Sequence, residues 1–169
     1  MELSAFSVLV LACAPQVDFS TAHALVSVES AFNPWSIGVV GGTLARQPRT
    51  RAEALRTAHA LRAAGWNFSV GLSQINISNF KRLGLALDAA LEPCTNLSAM
   101  QTLLSDCYVR AEPPAGASQS DQVQLRKALS CYYSGNFITG FKQGYVHKVV
   151  TAASNATQSV KPVQTKEMP

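Results

Sequence analysis

The stretch "LVSVESAFNPW", residues 25–35, carries one carboxylate, Glu29, inside an apolar run that breaks at Pro34. Leu25, Val28, Glu29 and Phe32 recur at helical spacing, so residues 18–32 read as a helix with Asp18 or Ser20 as its N-cap. Pro34 ends it, because the residue before a proline is pushed away from helical angles. Glu29 then lies on the apolar face in the last turn. Desolvation and the negative partial charge of a helix C-terminus both raise the pKa of such a carboxyl. An acid that keeps its proton near neutral pH can serve as a general acid. A solvated last-turn glutamate is the plainer reading, and the segment alone leaves both open.

The rest of the chain supplies the frame. Its 169 residues, 47% hydrophobic and 14% charged, fit one globular domain over residues 1–153, followed by a polar tail over 154–169 that is expected to be disordered. A net charge of +4, with Lys and Arg scattered rather than blocked, argues against nucleic acid as a partner. "MELSAFSVLVLACAP", residues 1–15, lacks the positive n-region of a signal peptide and is too short to cross a bilayer. It reads as a first core helix, so no stable membrane span is expected and the export route is not evident from the N-terminus.

Further along, "TRAE" (50–53) has the form of a capping box, opening a helix through Leu55, Ala58 and Leu61 that Gly65 stops. "GVVGGTLARQPR" before it reads as a hairpin or loop. In "WNFSVGLSQIN" (66–76), Trp66, Phe68, Val70 and Leu72 alternate as in a half-buried extended segment, which leads into a short helix near 77–83. "NLSAMQTLLSDCYVRA" (96–111) is a helix with Leu97, Met100, Leu104, Cys107 and Ala111 as its core stripe. "DQVQLRKALSCYY" turns Leu125, Ala128, Leu129 and Tyr132 to one side, "SGNFITGFKQG" is a turn region, and "YVHKVVTAA" is a last helix. The sum is mainly α with one small extended element.

Cys13, Cys94, Cys107 and Cys131 lack metal-ligand spacing and allow two disulfides, which would place the chain in an oxidising compartment such as the periplasm; buried free thiols are the alternative. A continuous helix over 95–110 would hold Cys94 and Cys107 about 20 Å apart, so these two do not pair with each other. No P-loop, dinucleotide fingerprint or metal pattern is present, and His23, His59 and His147 are dispersed.

Three stretches in order, "ESAFNP", "VGLSQIN" and "CYYSGN", resemble the motifs of lysozyme-like lytic transglycosylases of the soluble type. The resemblance is closest to the small VirB1-type members of type IV secretion systems, with "IGVVGG", "QP", "GWNFS" and "PCTNL" in the intervening text. It implies a lysozyme-like, mainly α fold with a small extended element beside the cleft. It also implies cleavage of the β-1,4 bond between N-acetylmuramic acid and N-acetylglucosamine, leaving 1,6-anhydromuramyl ends. The partners it implies are peptidoglycan glycan strands and components of the secretion apparatus, and it calls for no cofactor.

By the same resemblance Glu29 is the catalytic acid, with Ser30 beside it, and Gly71, Leu72, Ser73 and Gln74 line the cleft, Ser73 standing where methionine is usual. Tyr132 is expected either to hydrogen-bond Glu29 or to pack in the core, and Tyr133 stands at an asparagine position. Gly38 replaces a frequent serine. Asn76 either joins the cleft or caps the next helix, and Trp35 and Trp66 either stack on sugars or join the core. Asp88, Glu92 and Asp106 read as solvated or capping groups, so a two-carboxylate hydrolase is less well matched. A hydrolytic muramidase and a non-catalytic peptidoglycan-binding assembly factor are the alternatives.

Overall fold

A computed structural model of the chain describes residues 2–158. In chain order it holds α1 (Leu3–Cys13), α2 (Phe19–Ser30), β1 (Ile37–Val39), α3 (Arg51–Ala63), β2 (Phe68–Val70) and β3 (Ile75–Asn76). A 3-10 turn over Ile77–Asn79 leads into α4 (Phe80–Leu83), α5 (Leu87–Ala90), α6 (Pro93–Arg110), α7 (Asp121–Ser134), α8 (Thr139–Lys142) and α9 (Tyr145–Gln158). The mainly α reading with a small sheet holds. The last helix runs past residue 153, and residues 159–169 of the expected tail lie outside the described residues.

Two helix pairings organise the core. α2 lies along α9, and α6 lies along α7 while also receiving α1. α1 is a core helix, as read: Phe6, Val10 and Cys13 are buried. The stripe on α6 is buried as its spacing requires, from Leu97 through Met100 and Leu104 to Cys107. Among the described residues no helix is long and apolar enough to cross a membrane.

α2 starts on Asp18, whose carboxylate accepts from the Ser20 and Thr21 amides; the Ser20 hydroxyl contributes most to holding its pKa below the usual range. The helix ends earlier than the sequence suggested. Ser30 is its last residue, and Ala31 (φ 49°) and Phe32 (φ 61°) both adopt left-handed angles that non-glycine residues avoid. Packing holds Phe32: its ring meets Phe6 edge-on at 5.1 Å and His23 at 4.8 Å. Asn33 then accepts from the Trp35 amide at 3.0 Å, turning the chain into β1.

The sheet has the order β1-β2-β3, antiparallel throughout, with Gly38 opposite Ser69 and Val70 opposite Ile75. At α3 Thr50 caps as expected, accepting from the Glu53 amide, while Glu53 reaches back past the cap to the Arg49 amide at 2.9 Å instead of to Thr50. Glu53 also pairs with Arg46.

All four cysteines are paired, Cys13 with Cys94 and Cys107 with Cys131. Cys94 and Cys107 stand near opposite ends of α6, so each ties that helix to a different neighbour. The two bridges close loops with sequence separations of 81 and 24. By chain entropy they contribute about 4.5 and about 3.5 kcal/mol respectively. Urea denaturation of the Cys13→Ala/Cys94→Ala and Cys107→Ala/Cys131→Ala proteins is expected to show the larger loss for the first pair. The reverse order would contradict the loop-length account.

Candidate active site

A cleft of about 980 Å³ runs between the sheet and the α6–α7 pair, and Glu29 opens into it. The Glu29 carboxylate accepts a 2.5 Å hydrogen bond from the Tyr145 hydroxyl, across 116 residues of chain. Burial pushes the Glu29 pKa up to about 7, while the Tyr145 hydrogen bond acts in the opposite direction by stabilising the carboxylate. Burial raises the Tyr145 and Tyr132 phenols well above their usual range, with the charge of Glu29 adding to it. Neither phenol competes with Glu29 for the role of acid.

Of the two roles open to Tyr132, packing against the core is the one seen. Tyr132 does not hydrogen-bond Glu29; its hydroxyl donates to the Ser73 carbonyl at 2.6 Å. α9 lies along α2 and brings Tyr145 to the carboxylate instead. Tyr133 stacks on Tyr145, with ring centroids 4.4 Å apart and planes within 16°, and donates to Gln143 Oε1 at 2.8 Å. It therefore braces the residue that holds Glu29. Tyr145 was read only as part of a last helix; the available signal was a tyrosine heading the apolar stripe of Tyr145, Val146 and Val149, all buried.

The "VGLSQ" turn is built around a buried amide. Asn96 Nδ2 donates to the Val70 and Ala90 carbonyls at 3.0 and 2.8 Å, and its Oδ1 accepts from the Ser73 amide at 2.8 Å. Gly71 is required beside it: its φ is 84°, and a Cβ there would lie 2.2 Å from Asn96 Nδ2. Leu72 and Ser73 are fully buried and lie outside the cleft lining, as do Gly71 and Ser30. The cleft-lining expectation for Gly71, Leu72 and Ser73 is corrected, because the turn folds over Asn96 and buries them. The Ser30 hydroxyl bonds back to the Val26 carbonyl, whereas the buried Ser73 hydroxyl has no partner among the described residues.

Gln74, by contrast, does line the cleft. Its φ is 49°, and its Nε2 donates to the Ser36 and Gly71 carbonyls at 3.1 and 2.9 Å. Anchoring the nitrogen fixes the amide, and Gly38 makes room for its oxygen. A Cβ at Gly38 would sit 2.6 Å from Gln74 Oε1, so any side chain at 38 displaces this amide. Three non-glycine residues with positive φ, Ala31, Phe32 and Gln74, thus flank the site. Asn76 fills both of its expected roles: it accepts from the Ser78 amide as a cap and also lines the cleft.

Trp35 is partly buried against the core and Trp66 is exposed; neither lines the cleft. Asp106 is placed differently from its sequence reading, since it lines the cleft and pairs with Arg82 and Arg110. Glu92 pairs with Arg51, and Asp88 lies 3.8 Å from His59. Among the described residues no group of His, Cys, Asp and Glu converges as a metal site.

A small helical domain with a long polar cleft and one protonatable glutamate at its wall matches a known family. The model described as "Transglycosylase SLT domain" matches residues 7–155, and the chain belongs to that family. Among curated proteins, "Type IV secretion system protein virB1" of Brucella suis biovar 1 is 46% identical over 160 residues, 92% of this chain and 66% of the relative. "Protein virB1" of Agrobacterium tumefaciens is 43% identical over 145 residues, 85% of this chain and 58% of the relative. The Agrobacterium fabrum counterpart is 40% identical over 163 residues, covering 93% and 63%. The chain spans about two thirds or less of the length of these relatives. No solved structure gives a significant match.

Holding Glu29 in this place costs stability. Its pKa is raised from 4.5 to about 7 on folding, so the native state binds the extra proton across that window. Stability therefore declines as pH rises through the window, by at most about 3 kcal/mol, and the cost is fully expressed above pH 7. Glu29→Gln removes the ionisation but keeps an acceptor for Tyr145. Its melting temperature is expected to exceed that of the unsubstituted protein at pH 8, with a gain that shrinks at pH 5. A difference independent of pH would contradict the buried-acid reading.

Proposed function

We propose that this domain is a peptidoglycan lytic transglycosylase that opens the cell wall locally for assembly of a type IV secretion apparatus. The carrying observation is Glu29, a buried carboxyl with its pKa pushed up to about 7 at the wall of a saccharide-sized cleft. Protonated Glu29 donates to the glycosidic oxygen as the bond from muramyl C1 breaks. The resulting carboxylate takes the proton of the muramyl C6 hydroxyl as O6 bonds to C1, which leaves the 1,6-anhydro ring and restores the acid. One group serves both steps, so the best pKa is one near the working pH. Ring closure needs no water nucleophile.

One further feature supports this reading over hydrolysis, and two others support its setting. Asp106 is the other carboxylate lining the cleft among the described residues, and one of its oxygens is committed to two guanidiniums. A hydrolytic pair requires a second carboxylate free to activate water or attack the sugar. The two disulfides fit an oxidising compartment, which supports action in the periplasm. The printed names of the relatives support the secretion context.

Mass spectrometry of peptidoglycan digested by the protein tests the reaction. Anhydromuramyl products are expected, together with loss of lysis in a folded Glu29→Gln protein. Reducing ends without anhydro products would assign a hydrolytic muramidase, and undiminished lysis by Glu29→Gln would remove Glu29 from the chemistry. The rate is expected to fall about tenfold per pH unit above pH 7.

A further inference from the structure

The cleft carries a charged group that the reaction at Glu29 does not use. Arg82, at the end of α4, and Arg110, at the end of α6, both donate through Nη1 to the same oxygen, Oδ2 of Asp106, at 3.4 and 3.3 Å. All three side chains line the cleft that holds Glu29, and all three are roughly half exposed. Among the described residues the charged groups of that cleft are these three and Glu29. With Glu29 protonated, two cations face one anion, and the wall is net positive.

Each arginine spends one nitrogen on Asp106. The remaining N–H groups of both have no hydrogen-bond partner among the described residues, although the Arg110 guanidinium also lies over the Phe137 ring at 5.8 Å. Asp106 therefore sets the direction of both guanidiniums while leaving open the fork that grips a carboxylate with two parallel bonds. Drawing two like charges to one oxygen costs repulsion, which an anionic ligand would relieve. A cleft also focuses this field more than a convex surface does.

The geometry points to a carboxylate-binding site formed by Arg82 and Arg110 on Asp106, which recognises the peptide stems of the wall polymer beside the glycan. The inference rests on the proposed action on peptidoglycan, whose sugar backbone is neutral apart from the lactyl side chains. The stems end in carboxylates and branch from every muramic acid, so a glycan bound across Glu29 carries them along the cleft walls. Two sources of carboxylate exist on this polymer. A stem supplies its own, and a muramic acid stripped of peptide exposes the lactyl carboxylate instead; the site is assigned to the stem.

Titration calorimetry on the catalytically blocked Glu29→Gln protein tests this with three soluble ligands: a stem-bearing glycan tetrasaccharide, the same tetrasaccharide with its peptides removed, and a chitin tetrasaccharide without carboxylates. The stem-bearing ligand is expected to bind about tenfold tighter than the other two at low salt. That advantage should disappear at 0.5 M salt, where the screening length is about 4 Å. It should also fall to about one in Arg82→Gln/Arg110→Gln, while Arg82→Lys/Arg110→Lys, which keeps charge but not the fork, retains part of it. Equal affinity for the stem-bearing and stripped muramyl ligands, both above chitin, would move the site to the lactyl carboxylate and overturn the assignment. A uniform loss on all three ligands in the glutamine variant would reduce the pair to a structural role. Failure of the unsubstituted protein to release anhydro products, with stem discrimination intact, would count against the proposed reaction alone.

Discussion

The hydrogen bond from Tyr145 to Glu29 is the constraint around which the site is arranged. It joins the end of α2 to the start of α9, and the packing of these two helices takes the carboxylate out of water. Burial alone would drive the acid far toward neutrality and make it a poor base. The phenol partly offsets that by stabilising the anion, and the balance lies near 7. In the proposed reaction one group both gives and takes a proton, and a pKa in that range suits both steps. Tyr133, stacked on Tyr145 and tethered to Gln143, keeps the phenol from swinging away.

The opposite wall is organised by a buried amide rather than a charge. Asn96 satisfies three backbone groups of the loops around it and excludes any side chain at position 71. That fixes the turn from which Gln74 enters the cleft. Tyr132 adds the link to α7 by bonding the Ser73 carbonyl. The left-handed angles at Phe32 and Gln74 are held by their neighbours, so the site keeps its strain where the scaffold over-determines the backbone. The Cys13–Cys94 bridge anchors the same region, since Cys94 lies two residues before Asn96.

Local chemistry was legible in the sequence; contacts between distant segments were not. The cap at Thr50, the stripe on α6 and the impossibility of a Cys94–Cys107 bridge follow from spacing within one helix. Glu29 could be singled out because an acid on an apolar face is locally anomalous. Its partner could not, because Tyr145 is an unremarkable residue at the head of an amphipathic helix until α9 is laid on α2. Leu72 and Ser73 were placed in the cleft by motif, but left-handed angles at Gly71 and Gln74 turn the segment over Asn96 and bury them. Arg82 could not be joined to Asp106 for the same reason, since α4 is brought to α6 only in the folded chain, whereas the Asp106–Arg110 pair is spaced i,i+4 within α6.

The central claim is that packing of α2 against α9 keeps Glu29 protonated near neutral pH. A carbon-13 NMR titration of the glutamate carboxyls, with Glu29→Gln used to assign the signal, measures this directly. The account predicts a midpoint near 7 for Glu29. A midpoint at the ordinary glutamate value of 4.5 would contradict it.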